Sequence, residues 1–142
     1  MIKQPKTACM SPQEIERRLK VAGVNATAQR IAICQFVLCE ADHPTVEDVK
    51  KWADQNFPKM SLATVYNTLH ILVEAKLLKD LKFPHIDKVI YDNNVTKHHH
   101  FLDTETNEIF DIDETNVDIK TFLPKGVQIE DIDILIRGKQ QA

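Results

Sequence analysis

The sequence predicts an α+β fold: a winged helix-turn-helix domain, residues 1–92, followed by a small α/β dimerisation domain, residues 93–142. Three observations carry this. Four amphipathic stretches, each opened by a capping residue, precede two short strand-like runs around a proline turn. From residue 98 the apolar period changes from helical to alternating. Charge divides in the same place, with 13 Lys and Arg against 10 Asp and Glu in residues 1–90, and 5 against 11 in residues 91–142. A mildly basic half can approach a polyanion, and a carboxylate-rich half can hold cations, although an excess of three charges is also what ordinary surface scatter produces.

The elements follow in order. "SPQEIERRLKVAG" has Ser11 as N-cap, Pro12 in the first turn, Glu14 completing a capping box and Gly23 at its close. Thr27 caps "AQRIAICQFVLCEA", in which Ile31, Cys34, Val37 and Leu38 recur at helical spacing until "DHP" ends it. Thr45 starts "VEDVKKWADQNF", with acidic residues in the first turn, where the helix dipole favours them. Ser61 caps the fourth helix, "LATVYNTLHILVEAKLL". At about 100° per residue, Leu62, Val65, Tyr66, Leu69, Leu72 and Val73 form its core stripe. Its other face carries Thr64, Asn67, Thr68 and His70. Such short uncharged groups suit base edges in a major groove, and Tyr66 at the stripe's margin suits a thymine methyl; plain solvent-facing surface is the alternative. Ser61, Thr64, Tyr66 and Asn67 are therefore candidate DNA contacts, with Arg17, Arg18, Lys50, Lys51, Lys59 and Lys76 as phosphate partners. "LLKDLKF" and "KVIYD" flank the turn "PHID" and complete the wing.

Beyond residue 98, strands are expected at "HHHFLDT", "NEIFDID" and "VQIEDIDILIR", with a short helix near 115–122. The last strand would set Ile132, Ile134 and Ile136 on one face. A sheet this small has difficulty covering its apolar edges, which points to dimerisation through this half.

The 43% hydrophobic content is ordinary for a soluble globular chain. No apolar run approaches the length of a membrane span and the N-terminus lacks the apolar core of a signal peptide, so a cytoplasmic location with no membrane partner is expected. Cysteines 9, 34 and 39 are odd in number and form no C-x-x-C, which argues against a disulfide framework and a thiolate zinc site; Cys34 and Cys39 are expected simply to pack. In "NVTKHHHF", alternation puts His98 and His100 on one strand face and His99 on the other. Two converging imidazoles suit a metal, and a solvated His-rich tip is the alternative on this stretch alone.

"GVNATAQRIAI", "HPTVEDV", "FPKMSLATVYNTLHILVEAKLL" and "HHHF" together resemble the ferric uptake regulator family of metal-dependent transcription factors, over nearly the whole chain. The resemblance implies a homodimer whose winged helices bind palindromic double-stranded DNA, and a regulatory metal at the hinge between domains. By match its ligands are His43, Asp92, His98, His100 and Asp111. Three imidazoles and two carboxylates without a thiolate suit Fe²⁺ or Mn²⁺ better than a structural tetrahedral zinc. One such ion per chain is expected, with Zn²⁺ able to substitute in vitro.

The paired aspartates resemble the peroxide-sensing PerR branch, in which iron-catalysed oxidation would fall by match on His43 and His98. An Irr-like iron- and haem-responsive regulator is the alternative, resembled by "SLATVYNTL", "NVTKHHHF" and "DID"; only there is haem implied. Two departures matter. Asp103 and Thr106 stand where the family often has a C-x-x-C, and "RGKQQA" has no cysteine, so no structural zinc is expected. Lys97 and "IEDID" replace the residues of a further metal site seen in some relatives. A non-haem iron enzyme built on a two-His, one-carboxylate triad is a distant rival. It would need a substrate cavity that so small a sheet offers little room for, and the chain is expected not to be an enzyme.

Overall fold

The computed structural model describes residues 8–84 and 86–141, which form two compact units dividing between Val95 and Thr96. His85, in the expected wing turn, lies outside the described residues.

The first unit contains α1 (Pro12–Val21), α2 (Ala28–Gln35), α3 (Val46–Asn56), α4 (Leu62–Glu74) and the antiparallel wing strands β1 (Lys79–Leu81) and β2 (Ile90–Asp92). Ser11, Thr27, Thr45 and Ser61 each accept a hydrogen bond from a backbone N–H of the first turn, so every helix starts at its expected cap. The capping box falls on Thr45 and Asp48 rather than on Ser11 and Glu14. Glu14 turns instead to Arg17 and Arg18, which hold its carboxyl well below the usual range, at about 2. The second helix does not run through to "DHP" as a regular helix: after Gln35 it widens into a π-helical turn, Phe36–Glu40, closed by Ala41 N–H donating to the Phe36 carbonyl at 2.8 Å. Such turns insert one residue into the helical ladder and recur at functional sites.

Ile15, Leu19, Ile33, Val37, Val65 and Leu69 are among the fully buried side chains that unite α1 to α4, each contributing about 1.5–3 kcal/mol. The expected stripe on α4 is rotated. Thr68 is fully buried, its hydroxyl donating to the Thr64 carbonyl at 2.8 Å, whereas Leu62 and Tyr66 are about half exposed. A threonine satisfied within its own helix is cheap to bury, and that frees the Leu62–Tyr66 edge from the core. The wing extends onto the chain before α3, where Thr45 bridges Ile90 and Tyr91 N–H donates to the Pro44 carbonyl at 2.8 Å. Asn93 closes the unit by donating its amide to the Val37 and Ala41 carbonyls on either side of the π turn's end, at 2.9 Å each.

The second unit is a three-stranded sheet ordered β4-β3-β5, from β3 (His98–Asp103), β4 (Ile109–Asp113) and β5 (Leu135–Gly138). β4 is antiparallel and β5 parallel to β3. The short helix expected near 115–122 is a single 3-10 turn, Glu114–Asn116. The long last strand shrinks to four residues, because side chains take over the bonds a ladder would make. Ile134 N–H donates to His99 Nδ1 at 3.2 Å, and the Lys97 ammonium reaches Asp131 at 2.6 Å, the Ile132 carbonyl at 2.5 Å and Asp133 at 3.3 Å. Ile132, Ile134 and Ile136 therefore do not line up as one strand face.

Cys34 is buried, and desolvation pushes its thiol up to about 12, but Cys39 is joined to Cys9 by a disulfide. An odd count excludes a framework, not a single bridge. The segment ahead of α1 folds back on the π turn, with Ala8 in the common core and Cys39 Sγ 3.9 Å from the Met10 carbonyl.

Candidate metal centre and nucleic-acid interface

The first unit presents one imidazole and one carboxylate side by side. His43 has a left-handed backbone, φ 47°, which a histidine adopts at a cost. The bridge between Thr45 and Ile90 fixes the strand that ends at Asp92 against the chain that carries His43. As a result His43 Nε2 lies 3.6 Å from Asp92 Oδ2. Each group is also held from behind: His43 Nδ1 meets Asp42 Oδ1 at 2.8 Å, and Asp92 Oδ1 accepts from Asn94 N–H at 2.9 Å.

The second unit presents three donors on one sheet face. The β3–β4 register sets His100 opposite Asp111, and alternation brings His98 to the same side. His98 Nε2 lies 3.0 Å from His100 Nε2 and 3.3 Å from Asp111 Oδ1, and His100 Nε2 lies 3.6 Å from that oxygen. His98 Nδ1 donates to the Thr96 carbonyl at 2.6 Å, which fixes the tautomer with its Nε2 lone pair turned toward the other two groups. His99 is on the other face, where its Nδ1 accepts the Ile134 N–H, a structural role with no local signature in the chain.

The three donors of the second unit fit a first-row divalent ion. With bonds of about 2.1 Å, adjacent ligand atoms of one shell stand about 3.0–3.4 Å apart, close to the spacing of this triangle. A ring nitrogen or carboxylate oxygen on His43, Asp92 and His98 is anchored by a neighbour, the arrangement that orients metal ligands. Asp103, standing where the family often has a cysteine, accepts from the N–H groups of Glu105 (2.8 Å) and Thr106 (3.3 Å) and serves the β3–β4 turn.

The predicted DNA contacts lie on the first unit. Tyr66 and Asn67 are exposed on α4, and Thr64, half buried, shares a hydrogen bond with Ser61 at 3.0 Å over the helix's first turn. Lys59 is exposed on the turn leading into α4. Arg17 is exposed but paired to Glu14, and Lys50 is paired to Asp54. The groove beside Tyr66, about 460 Å³, is lined by Lys50, Lys51, Glu47 and Leu62 from α3 and α4.

A winged-helix unit joined to a small sheet that carries a cluster of imidazoles and a carboxylate defines a class, the two-unit metalloregulators. Residues 21–136 match the model of the ferric uptake regulator family, and the chain belongs to that family. It is 33% identical over 106 residues to the peroxide operon regulator of Bacillus subtilis (strain 168), covering 75% of this chain and 72% of that protein. It is 30% identical over 93 residues to the peroxide-responsive repressor PerR of Staphylococcus aureus (strain USA300), covering 66% and 62%. In fold it is similar to the ferric uptake regulator of Vibrio cholerae, TM-score 0.64 at 20% identity over 88% of this chain and 98% of that one. It is also similar to that of Helicobacter pylori, TM-score 0.68 at 14% identity over 93% of each chain. The chain is thus a Fur-family metalloregulator with peroxide regulators among its relatives. Among the described residues no helix is long and apolar enough to cross a membrane.

Proposed function

We propose that this chain is a cytoplasmic, homodimeric repressor that binds palindromic DNA when one Fe²⁺ or Mn²⁺ is held jointly by His43, Asp92, His98, His100 and Asp111, and that releases it after peroxide oxidises His43 or His98. The observation that carries the reading is the triangle of His98 Nε2, His100 Nε2 and Asp111 Oδ1, with the rear nitrogen of His98 engaged by a carbonyl. The His43–Asp92 pair supplies the remaining donors from the winged-helix domain, proposed as residues 1–92, and the triangle supplies its own from the dimerisation domain, proposed as residues 93–142. A site that draws on both halves shifts their arrangement to the extent that the ion binds the closed form more tightly than the open one. Ferrous iron, if held by these residues, would supply reducing electrons to peroxide, and His43 and His98 would be the imidazoles beside it. The haem-responsive alternative draws on the triple histidine, but one ring nitrogen of His99 is committed to Ile134. Anaerobic titration with Fe²⁺ or Mn²⁺ in the presence of an operator-bearing duplex tests the reading. A regulator gains DNA affinity with metal, and a non-haem iron enzyme has no reason to.

α4 reads bases in this proposal, with Thr64, Tyr66 and Asn67 toward the groove and Ser61 and Lys59 toward phosphates. Tyr66→Ala is then expected to weaken specific binding by about 1–3 kcal/mol and to leave nonspecific binding little changed, measured by anisotropy on operator and scrambled duplexes. Because Tyr66 is half exposed, the substitution leaves the core intact. An equal fall on both duplexes would remove Tyr66 from base reading.

The dimer rests on the second unit. Ile119, Phe122, Leu123, Val127, Ile129 and Ile136 are each more than a third exposed, and Phe122 is 93% exposed. A second copy covering them explains why a chain would carry so much open apolar surface. The dimer is expected to persist in chelator and to dissociate in the Phe122→Asp, Ile129→Asp double variant. Sedimentation showing wild-type monomers at micromolar concentration after chelation would overturn this.

A further inference from the structure

The metal reading leaves one reactive group unused, the Cys9–Cys39 bridge in the first unit. Cys9 is exposed and Cys39 partly buried against the core, so the bridge has one open side, in contrast to the fully enclosed, high-pKa thiol of Cys34. The bridge spans 30 residues and ties the segment before α1 to the π turn. Four residues beyond Cys39 stands His43, in its left-handed conformation, and the carbonyls of Val37 and Ala41 that flank Cys39 are those gripped by Asn93. Whatever fixes the π turn therefore fixes the arm that carries His43.

We propose that Cys9 and Cys39 form a reversible, metal-independent peroxide-reactive pair whose closure stiffens the π turn and so tightens metal binding through His43. On the cytoplasmic reading the chain works in a reducing compartment, where a disulfide is usually transient and redox-sensing. The chemistry balances. The Cys9 thiolate attacks one oxygen of hydrogen peroxide, the O–O bond breaks, and hydroxide leaves as the sulfenic acid forms. The Cys39 thiolate then attacks the Cys9 sulfur, the S–S bond forms, the S–O bond breaks, and a second hydroxide leaves. Two thiols and one peroxide become one disulfide and two waters, each sulfur having given up one electron. A cellular dithiol reverses the step by exchange.

The second half of the proposal, the effect on the metal, rests on the reading of His43 as a ligand, and the experiment separates the two. The full chain is reduced and stripped of metal. It is then treated with stoichiometric hydrogen peroxide and mapped by mass spectrometry without reduction, in metal-free and Mn²⁺-loaded forms, neither containing iron. A Cys9–Cys39 linked peptide two hydrogens lighter, reopened by dithiothreitol, with Cys34 alkylatable once the chain is denatured, is the expected result. Both sulfurs remaining alkylatable after peroxide, or their passing directly to sulfinic acids, would overturn the pair.

Mn²⁺ titration of oxidised and reduced protein follows, with Cys9→Ser and Cys39→Ser as permanently open forms and His43→Ala as the control. Oxidised wild type is expected to bind Mn²⁺ about fivefold or more tightly than the reduced and serine forms. Equal affinities alongside a weakened His43→Ala overturn the coupling proposed here. An unweakened His43→Ala overturns instead the reading of His43 as a ligand. Loss of the bridge is also expected to lower the unfolding temperature by roughly 10 °C, and an unchanged unfolding temperature would contradict the stiffening.

Discussion

Replacing His98 or Asp111 by alanine is expected to leave a folded dimer that no longer gains DNA affinity from metal. Both positions are on the β3–β4 ladder, whose backbone pairing does not depend on the side chains removed. Each substitution takes away one vertex of the 3.0–3.6 Å triangle. Losing a group that merely orients a ligand costs about 10- to 100-fold in metal affinity, so losing the ligand should cost at least about a hundredfold. DNA binding falls with it, because an ion that no longer distinguishes the closed from the open arrangement cannot shift their populations. Four measurements check this: Mn²⁺ titration for affinity, circular dichroism for fold, sedimentation for the dimer, and anisotropy on the operator with and without metal. Unaltered metal-stimulated binding in either variant would remove that residue from the site. The comparison with Asp103→Ala is informative, since Asp103 is a buried carboxylate of β3 that accepts from the Glu105 and Thr106 N–H groups and is not part of the triangle.

Helix starts were the most legible part of the fold, because a hydroxyl at the N-cap leaves a local signature that tertiary packing rarely overrides: Ser11, Thr27, Thr45 and Ser61 all cap in the structure. The His98–His100 pairing was legible for a similar reason, since strand alternation is set by the backbone and His100 is opposite Asp111 in the ladder. What escaped depended on contacts distant in sequence. The burial of Thr68 in place of Tyr66 reflects which side of α4 meets α2, a choice that periodicity leaves open within about one residue's rotation. The π turn at Phe36–Glu40 has no sequence signature, and its stabilising partner, Asn93, lies more than fifty residues away. The last strand reads as a long alternating run, yet Lys97 and His99, 34 to 35 residues earlier, capture its polar groups and leave a short β5. The Cys9–Cys39 bridge was missed because counting cysteines tests for a framework and cannot see a single pair brought together by the return of the chain onto its own core.

Peroxide is expected to abolish operator binding of the Fe²⁺ form and to leave that of the Mn²⁺ form intact. Two chemistries in one chain have to be told apart here: oxygen addition to an imidazole, which needs a metal able to donate electrons to peroxide, and disulfide closure at Cys9 and Cys39, which does not. The anchored nitrogens point to where the first would fall. His98 is held through Nδ1 on Thr96 with its other edge toward Asp111, and His43 through Nδ1 on Asp42 with its other edge toward Asp92; on the proposed reading these are the edges that bound iron would meet. His99, on the opposite face, and His70, paired with Glu74 on the surface of α4, should remain unmodified. The lesion weakens an imidazole ligand as surely as an alanine does, so the loss should match that of His98→Ala and should resist dithiothreitol, whereas the cysteine bridge reopens. Peptide mass mapping is expected to show one added oxygen on the peptide containing His43 or His98 in the iron form alone. Equal loss of DNA binding in the iron and manganese forms, reversed by dithiothreitol and absent in Cys9→Ser, would transfer the sensing role from the histidines to the thiol pair.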